Sequence, residues 1–313
     1  MRTLRGSEDT PVGIDIKPSA YTDIVGSVAD RGVVSEAVNG CDAIIHTATL
    51  HKPHVGTHTR QDFVDTNITG TLNLLEEANA QGCGSLIYTS TTSTFGDAMK
   101  PVAGEPSVWV TEQLQPKPKN IYGTTKTAAE DLCALFHRNT ELSCIVLKTS
   151  RFFPEEDDSK QRRESFADMN LKVNELLFRR VDVADIVTAH QLALLRAPAI
   201  GFDRFIISAT SPFRREDATF LSSNAPAVVE QYLPEYVPEY QRREWQMFQA
   251  LDRVYDSTHA TEVLGWKPVY TFAHAIEQLR QDKDYRSKLS IAVGSKGYHD
   301  NVFEDGPYPV RSF

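Results

Sequence analysis

The sequence predicts an α/β protein, a doubly wound parallel sheet carrying a small, mainly helical C-terminal lobe. Three observations predict it. Short β-rich runs alternate with runs of helical period through the first two-thirds of the 313 residues. The spacing of that alternation predicts strands that pair in parallel, with helices covering both faces of the sheet. After about residue 211 the pattern changes: proline, glutamate and aromatic residues cluster at 232–240, and shorter helical runs follow, as in a lobe capping the sheet.

Residues 12–16 (Val-Gly-Ile-Asp-Ile) and 23–28 each have a strand pattern. A short helix over 32–38 leads into a strand at 41–46. Over 61–80, Phe63, Ile68, Leu72, Leu75 and Ala78 share one helical face. A strand at 85–90 and a helix over 122–136 follow, the helix burying Ala128, Leu132 and Leu135. Strand 144–148, helix 183–195 and strand 204–208 complete the alternation, while 287–313 is expected to be tail or surface wrapping. No internal repeat is present.

With 41% hydrophobic and 24% charged residues, the composition is that of a soluble globular enzyme. A formal charge of −9 argues against a nucleic-acid partner, which needs a surplus of Lys and Arg on one face. The four cysteines are scattered without a C-x-x-C pair, so buried reduced thiols are expected. No run approaches a membrane span, and the first residues lack the apolar core of a signal peptide. The expected location is the cytoplasm, with no membrane partner.

Tyr122-Gly-Thr-Thr-Lys126 carries the strongest local chemistry. Four residues apart on a helix, a phenol and an ammonium share a face, and a nearby cation favours phenolate. Such a base can take a proton from an alcohol as hydride leaves the same carbon. Alone, the spacing also describes an ordinary solvated helix face. The strand ending at Thr91 runs into Thr92-Ser-Thr-Phe-Gly96, which puts hydroxyls at the strand's C-terminal end, where open α/β sheets bind ligands. The alternative there is a Ser/Thr turn bonding its own backbone.

Taken in order, these strings resemble the motif set of extended short-chain dehydrogenases/reductases, the NAD-dependent epimerase/dehydratase family. They are Ile44-Ile-His-Thr-Ala48, the run from Asn67 to Leu75, Tyr88 to Gly96, and Tyr122 to Glu130. Arg151-Phe-Phe-Pro154, Val181-Asp-Val-Ala-Asp185 and Leu264-Gly-Trp-Lys-Pro268 continue the resemblance, which covers roughly residues 10–285. It implies a Rossmann-like NAD-binding domain from 1–151 plus about 178–210, a substrate lobe from about 152–177 and 211–285, and a tail over 286–313.

It also implies roles. Tyr122 would be the acid/base, Lys126 would bind the nicotinamide ribose and depress the tyrosine pKa, and Thr91 would position the substrate oxygen. Asp15 would accept from the adenosine ribose and favour NAD over NADP. Asp30 would lie near the adenine amino group, Thr47 and Ala48 would line the cofactor, and Asn67 would stand beside the active site. A strand-end turn residue is the alternative for Asp15. A small-molecule substrate, possibly a sugar or nucleotide sugar, and a homodimer follow from the same resemblance.

His51, His54 and His58 crowd one loop, expected to wall the nicotinamide or substrate site; no carboxylate or thiol completes a metal set nearby, so no metal is expected. The acidic run 155–158 is expected to be a solvated loop. Only 14 residues precede Asp15, too few for the family's G-x-x-G-x-x-G turn, which needs about 20. Either the polypeptide starts earlier, or this is a short variant that binds the dinucleotide weakly, at the limit a scaffold without turnover. The run from Arg151 to Val181 lacks a G-x-G-x-x-x-R segment, which puts UDP-sugar recognition in doubt, and Thr92-Ser93 in place of Asp-Glu disfavours dehydration. Epimerisation through transient oxidation leads; net dehydrogenation or reduction of a small carbonyl compound is the runner-up.

Overall fold

The computed structural model describes residues 1–295 together with Gly297, Phe303 and Gly306. The first part of the chain holds β1 (Ile14–Asp15), β2 (Ile24–Val25), α1 (Arg31–Val38), β3 (Ala43–His46), α2 (Arg60–Phe63), α3 (Gly70–Gln81) and β4 (Ser85–Thr91). Next come β5 (Val108–Val110), α4 (Ile121–Asn139), β6 (Ser143–Thr149), α5 (Lys160–Ser165), α6 (Asp168–Glu175), α7 (Val183–Ile200) and β7 (Phe202–Ile207). The remainder is α8 (Ala218–Leu221), α9 (Ala225–Tyr232), α10 (Tyr236–Arg243), β8 (Arg253–Tyr255), α11 (Phe272–Arg280) and α12 (Lys288–Val293).

A four-stranded sheet in the order β3-β4-β6-β7 organises the molecule, and every neighbour pairs in parallel. β1 and β2 form a separate parallel pair, so the strands expected at 12–16 and 23–28 exist but are two residues long and do not join the main sheet. All seven residues of β6 are buried, as a strand covered on both faces requires. Alternation sends Leu86, Tyr88, Cys144 and Val146 to one face, against Leu74 and Leu75 of α3 and Ala129 and Cys133 of α4. Ile87, Ile145, Leu147 and Phe205 face the other way, against Ala189, Ala193 and Ala197 of α7 and the indole of Trp266.

A further core, running from Leu171 to Tyr285, is built by α6, α9, α10 and α11. β5 and β8 pair in parallel beside it, a contact between segments far apart in the chain that local pattern does not announce. The helix expected over 61–80 is interrupted: a π-helical turn, Val64–Thr69, joins α2 to α3. The buried face of α4 also differs from the expected one. Leu135 is 38% exposed, while Tyr122, Lys126, Ala129, Glu130 and Cys133 are buried against the sheet. Cys83, Cys133 and Cys144 are buried, and all four thiols are free. Within the expected tail, 288–293 is helical; residues 296, 298–302, 304–305 and 307–313 lie outside the described residues.

Candidate active site

β4 delivers Thr91 to the C-terminal edge of the sheet, in register with Thr149 of β6. The chain then tightens into a short 3-10 turn, Thr92–Phe95, capped by the Thr91 hydroxyl, which accepts from Ser93 N at 3.1 Å. Gly96 ends this turn at φ +53°, where a Cβ would stand 1.9 Å from the Lys117 carbonyl oxygen, so only glycine lets the two segments meet. α4 begins close by. The Asn120 side chain accepts from Gly123 N at 3.1 Å, and a Cβ on Gly123 would lie 3.0 Å from the Ser93 carbonyl. The cap and the two glycines thereby set Tyr122 against the hydroxyl turn.

Tyr122 is 8% exposed, and burial pushes its phenol up to about 12, with the Thr91 hydroxyl the neighbour that draws it down. The expectation that Lys126 depresses the phenol is corrected by this geometry. The Lys126 ammonium turns to the sheet, donating to the Thr89 carbonyl at 2.7 Å and lying 4.0 Å from the Tyr88 ring centroid. Burial brings Lys126 down to about 7, against the opposing pull of Glu130. Below it, His46 Nε2 pairs with the Thr71 hydroxyl at 3.0 Å, and burial and the Lys126 charge hold this imidazole down to about 3.

The nicotinamide end of NAD fits these residues. An ammonium has three N–H groups, and Lys126 spends one on Thr89, leaving donors for a ribose diol. The Tyr88 hydroxyl is buried near Thr71 without making a hydrogen bond. Thr47 and Ala48 follow directly on the C-terminal end of β3. The adenosine side is less defined. Asp15 is exposed at the end of β1 and its Oδ1 accepts from Lys17 N at 2.9 Å, as a turn residue does. Asp30 Oδ1 is committed to capping α1, accepting from Gly32 N and Val33 N.

Asn67, expected beside the active site and among the cofactor-binding residues, has its amide bonded to the protein. Its Nδ2 donates to the Leu50 carbonyl and the Thr125 hydroxyl, both at 2.9 Å. Its Oδ1 accepts from Leu50 N at 2.8 Å and the Thr49 hydroxyl at 2.9 Å. All four hydrogen-bonding sites of the amide are spent on the protein. The π-helical turn that carries Asn67 holds the loop after β3 against α4.

That loop reaches the site. The His51 ring lies 6.4 Å from the Tyr122 ring and stacks on Phe153 at 5.5 Å, so the histidine wall expected here stands beside the phenol. Lys52 bonds to Asp158, which Arg151 also holds at 3.0 Å. The acidic run 155–158 is therefore only partly a solvated loop. Asp157 is 3% exposed because Arg151 and Arg179 supply its counter-charge, and the fully buried Glu175 binds Arg179 and Arg180.

A second buried ion pair lies behind Lys126. Lys148 of β6 donates to both oxygens of Glu130 at 2.7 Å, and Ser90 donates to the same carboxylate at 2.5 Å. The signal for it was present: Glu130 follows Lys126 by four residues and Tyr122 by eight, on one helical face. Among the described residues no three His, Cys, Asp or Glu side chains are placed to hold a metal ion, and no helix is long and apolar enough to cross a membrane.

The model of the NAD dependent epimerase/dehydratase family matches residues 8–199. Among curated proteins, UDP-glucose 4-epimerase 2 of Oryza sativa subsp. japonica is 30% identical over 122 residues, covering 38% of this chain and 28% of that protein. UDP-arabinose 4-epimerase 1 of Arabidopsis thaliana is 30% identical over 129 residues, 41% of this chain and 28% of its own length. The matches to these epimerases thus span less than a third of their length. GDP-6-deoxy-D-mannose reductase of Pseudomonas aeruginosa is 25% identical over 261 residues, covering 78% of this chain and 81% of that one. A solved short-chain dehydrogenase/reductase superfamily protein from Agrobacterium tumefaciens, with bound NAD, superposes with TM-score 0.62 at 18% identity, covering 90% and 92% of the two chains. UDP-N-acetylglucosamine 4-epimerase from Bacillus cereus does so with TM-score 0.60 at 17% identity, covering 90% and 92%. At these identities the structural likeness concerns the Rossmann-like fold.

Proposed function

The chain belongs to the NAD-dependent epimerase/dehydratase family, and from that premise we propose that it performs NAD-dependent redox chemistry at a secondary alcohol or its ketone, in the leading reading epimerising a sugar or nucleotide sugar. The observation that carries the reading is the pairing of Tyr122 with Thr91 at the sheet's C-terminal edge, the phenol raised by burial and drawn down by that hydroxyl.

When bound, NAD supplies hydride acceptance and return. The protein's residues supply the rest. At neutral pH the Tyr122 phenol is protonated, since burial pushes it up to about 12, which suits it to donate a proton to a carbonyl oxygen as that oxygen gains charge. Thr91 orients the oxygen by hydrogen bonding. In the oxidative direction the deprotonated Tyr122 oxygen takes the alcohol proton and, as the phenol, holds it for return to the ketone oxygen. Lys126 is placed to hold the cofactor ribose, and His51 and Phe153 wall the cleft against water.

Net oxidation or reduction is the second reading, favoured by the long match to a sugar-nucleotide reductase, which extends over most of both chains. Cofactor stoichiometry separates the two. An epimerase interconverts substrate and product without accumulating reduced nicotinamide, whereas a dehydrogenase accumulates it mole for mole. Absence of either behaviour, with sugars and nucleotide sugars supplied alongside NAD, would sink the proposal.

A further inference from the structure

Beyond Phe153 lies a cavity of about 120 Å³, walled by Phe153, Lys172, Arg180, Tyr270, Tyr285 and Arg286 among others. We propose that it is the subsite for the distal end of the substrate and takes a compact anionic group, a carboxylate or a phosphate monoester, so that the substrate is a small acidic hydroxy or keto compound and not a nucleotide sugar. This rests on the reading that Tyr122 and Thr91 hold the reacting carbon, because Phe153 is shared between the cavity and the aromatic contact leading through His51 to Tyr122.

Size comes first. Pockets for drug-sized ligands run from roughly 300 to 1,000 Å³, and a dry cavity of about 150 Å³ is filled by a benzene ring. A space of about 120 Å³ admits an acid group with a few carbons but not a nucleoside diphosphate.

The lining chemistry comes second. Tyr285 is 7% exposed, borders the cavity, and makes no hydrogen bond among the described residues. Its hydroxyl therefore has a donor that a ligand acceptor in the cavity can take. Burial pushes this phenol up to about 12, which keeps it a donor. Arg180 is fixed as a wall: the fully buried Glu175 holds its Nε at 2.8 Å and the Phe153 carbonyl holds its Nη1 at 2.9 Å. Lys172 is held by the Pro154 carbonyl and by Asp168, each at 2.6 Å. Of the two carboxylates on the lining, Asp168 is paired with Lys172, and Asp182 is occupied by Ala184 N and by Ser287. Arg180, Lys172 and Arg286, the last paired with Asp284 at 2.7 Å, thus line the space together with a phenol whose hydroxyl is open to a ligand.

Ser287 donating to Asp182 at 2.5 Å also ties the Tyr285 segment to the N-terminus of α7. The lobe therefore brings its own donor to the edge of the sheet, from a residue that lies outside the stretch matched to the family.

The test is calorimetric binding and turnover by the full chain, with NAD, of glucuronate, glucose 6-phosphate, glucose and UDP-glucose. The expected result is that glucuronate or glucose 6-phosphate binds at least about tenfold more tightly than glucose, the worth of one hydrogen bond to a charged group, with UDP-glucose no tighter than glucose. The two acids distinguish a carboxylate from a phosphate subsite. Tyr285→Phe should abolish the advantage, and Lys172→Met, which leaves the phenol in place, should reduce it. UDP-glucose binding most tightly, no acid advantage, or an advantage that survives both substitutions would overturn the assignment. Tight acid binding lost in Tyr285→Phe but without turnover of any sugar would leave the subsite standing and overturn the redox reading.

Discussion

The Lys126 ammonium lies 4.0 Å from the centroid of the Tyr88 ring, a helical turn on from the Tyr122 phenol and against the same strand, β4. The ammonium donates to the Thr89 carbonyl, and the Thr91 hydroxyl is the neighbour that draws the Tyr122 phenol down. The charge is fully buried, and that has a measurable consequence.

Replacing Lys126 with Met should separate function from stability. Turnover should fall about 10²-fold or more, because the cofactor ribose loses its holder and the reacting groups their alignment. The melting temperature at neutral pH should not fall, since an ammonium whose pKa burial has brought down to about 7 is replaced by an apolar chain of similar length. A loss of several degrees would show that the buried ammonium stabilises the fold.

Replacing Thr91 separates its hydroxyl from its shape. Thr91→Ser keeps the oxygen and should stay within several-fold of the parent, whereas Thr91→Val removes it and should cost about 10²-fold in kcat/KM. Equal activity in the two variants would remove Thr91 from the site.

Glu130→Gln leaves the Lys148 ammonium, 2% exposed, without its counter-charge, and should destabilise the protein by about 3–5 kcal/mol. Adding Lys148→Met removes the orphaned charge and should restore most of the loss. Denaturant midpoints of the single and double variants check this, and a double variant as unstable as the single would contradict it.

His46 contributes to the acid limb of stability. Folded, it takes up a proton only near pH 3; unfolded, it does so near 6.5. Between those values the unfolded chain binds more protons, so stability falls as pH drops through the window. Asp185, raised to about 6 by burial from 3.8, has the opposite sign and gains stability on acidification from about 6. His46→Asn should flatten the acid-side decline in urea titrations between about pH 6.5 and 4; an unchanged slope would show that His46 is not its source.

Much of this was legible in the sequence, and the exceptions share causes. The strands Ala43–His46, Ser85–Thr91, Ser143–Thr149 and Phe202–Ile207 announced themselves through short β-rich apolar cores such as Ile44-Ile45, Leu86-Ile-Tyr88 and Cys144-Ile-Val-Leu147. Thr91, Tyr122 and the His51 loop were legible as hydroxyl, phenol and imidazole at identifiable ends of elements. β5 and β8 were not, because each is three residues long and finds its partner far along the chain. The buried face of α4 was misjudged because Lys126 and Glu130 count as polar by composition, while Thr89 and Lys148 satisfy them inside. Asp157 looked solvated for the same reason, since its partners Arg151 and Arg179 come from separate segments. Asp30, expected near the adenine amino group, also caps the helix that it precedes, a role its Asp-before-helix position announces.

The most direct measurement is the turnover rate of Tyr122→Phe with NAD and substrate saturating, alongside its melting temperature. With Tyr122 as the proton donor and acceptor, the rate should fall by about 10²–10⁴-fold while the fold is retained, since a single buried hydroxyl is removed. A folded Phe variant turning over within a few-fold of the parent would contradict the assignment.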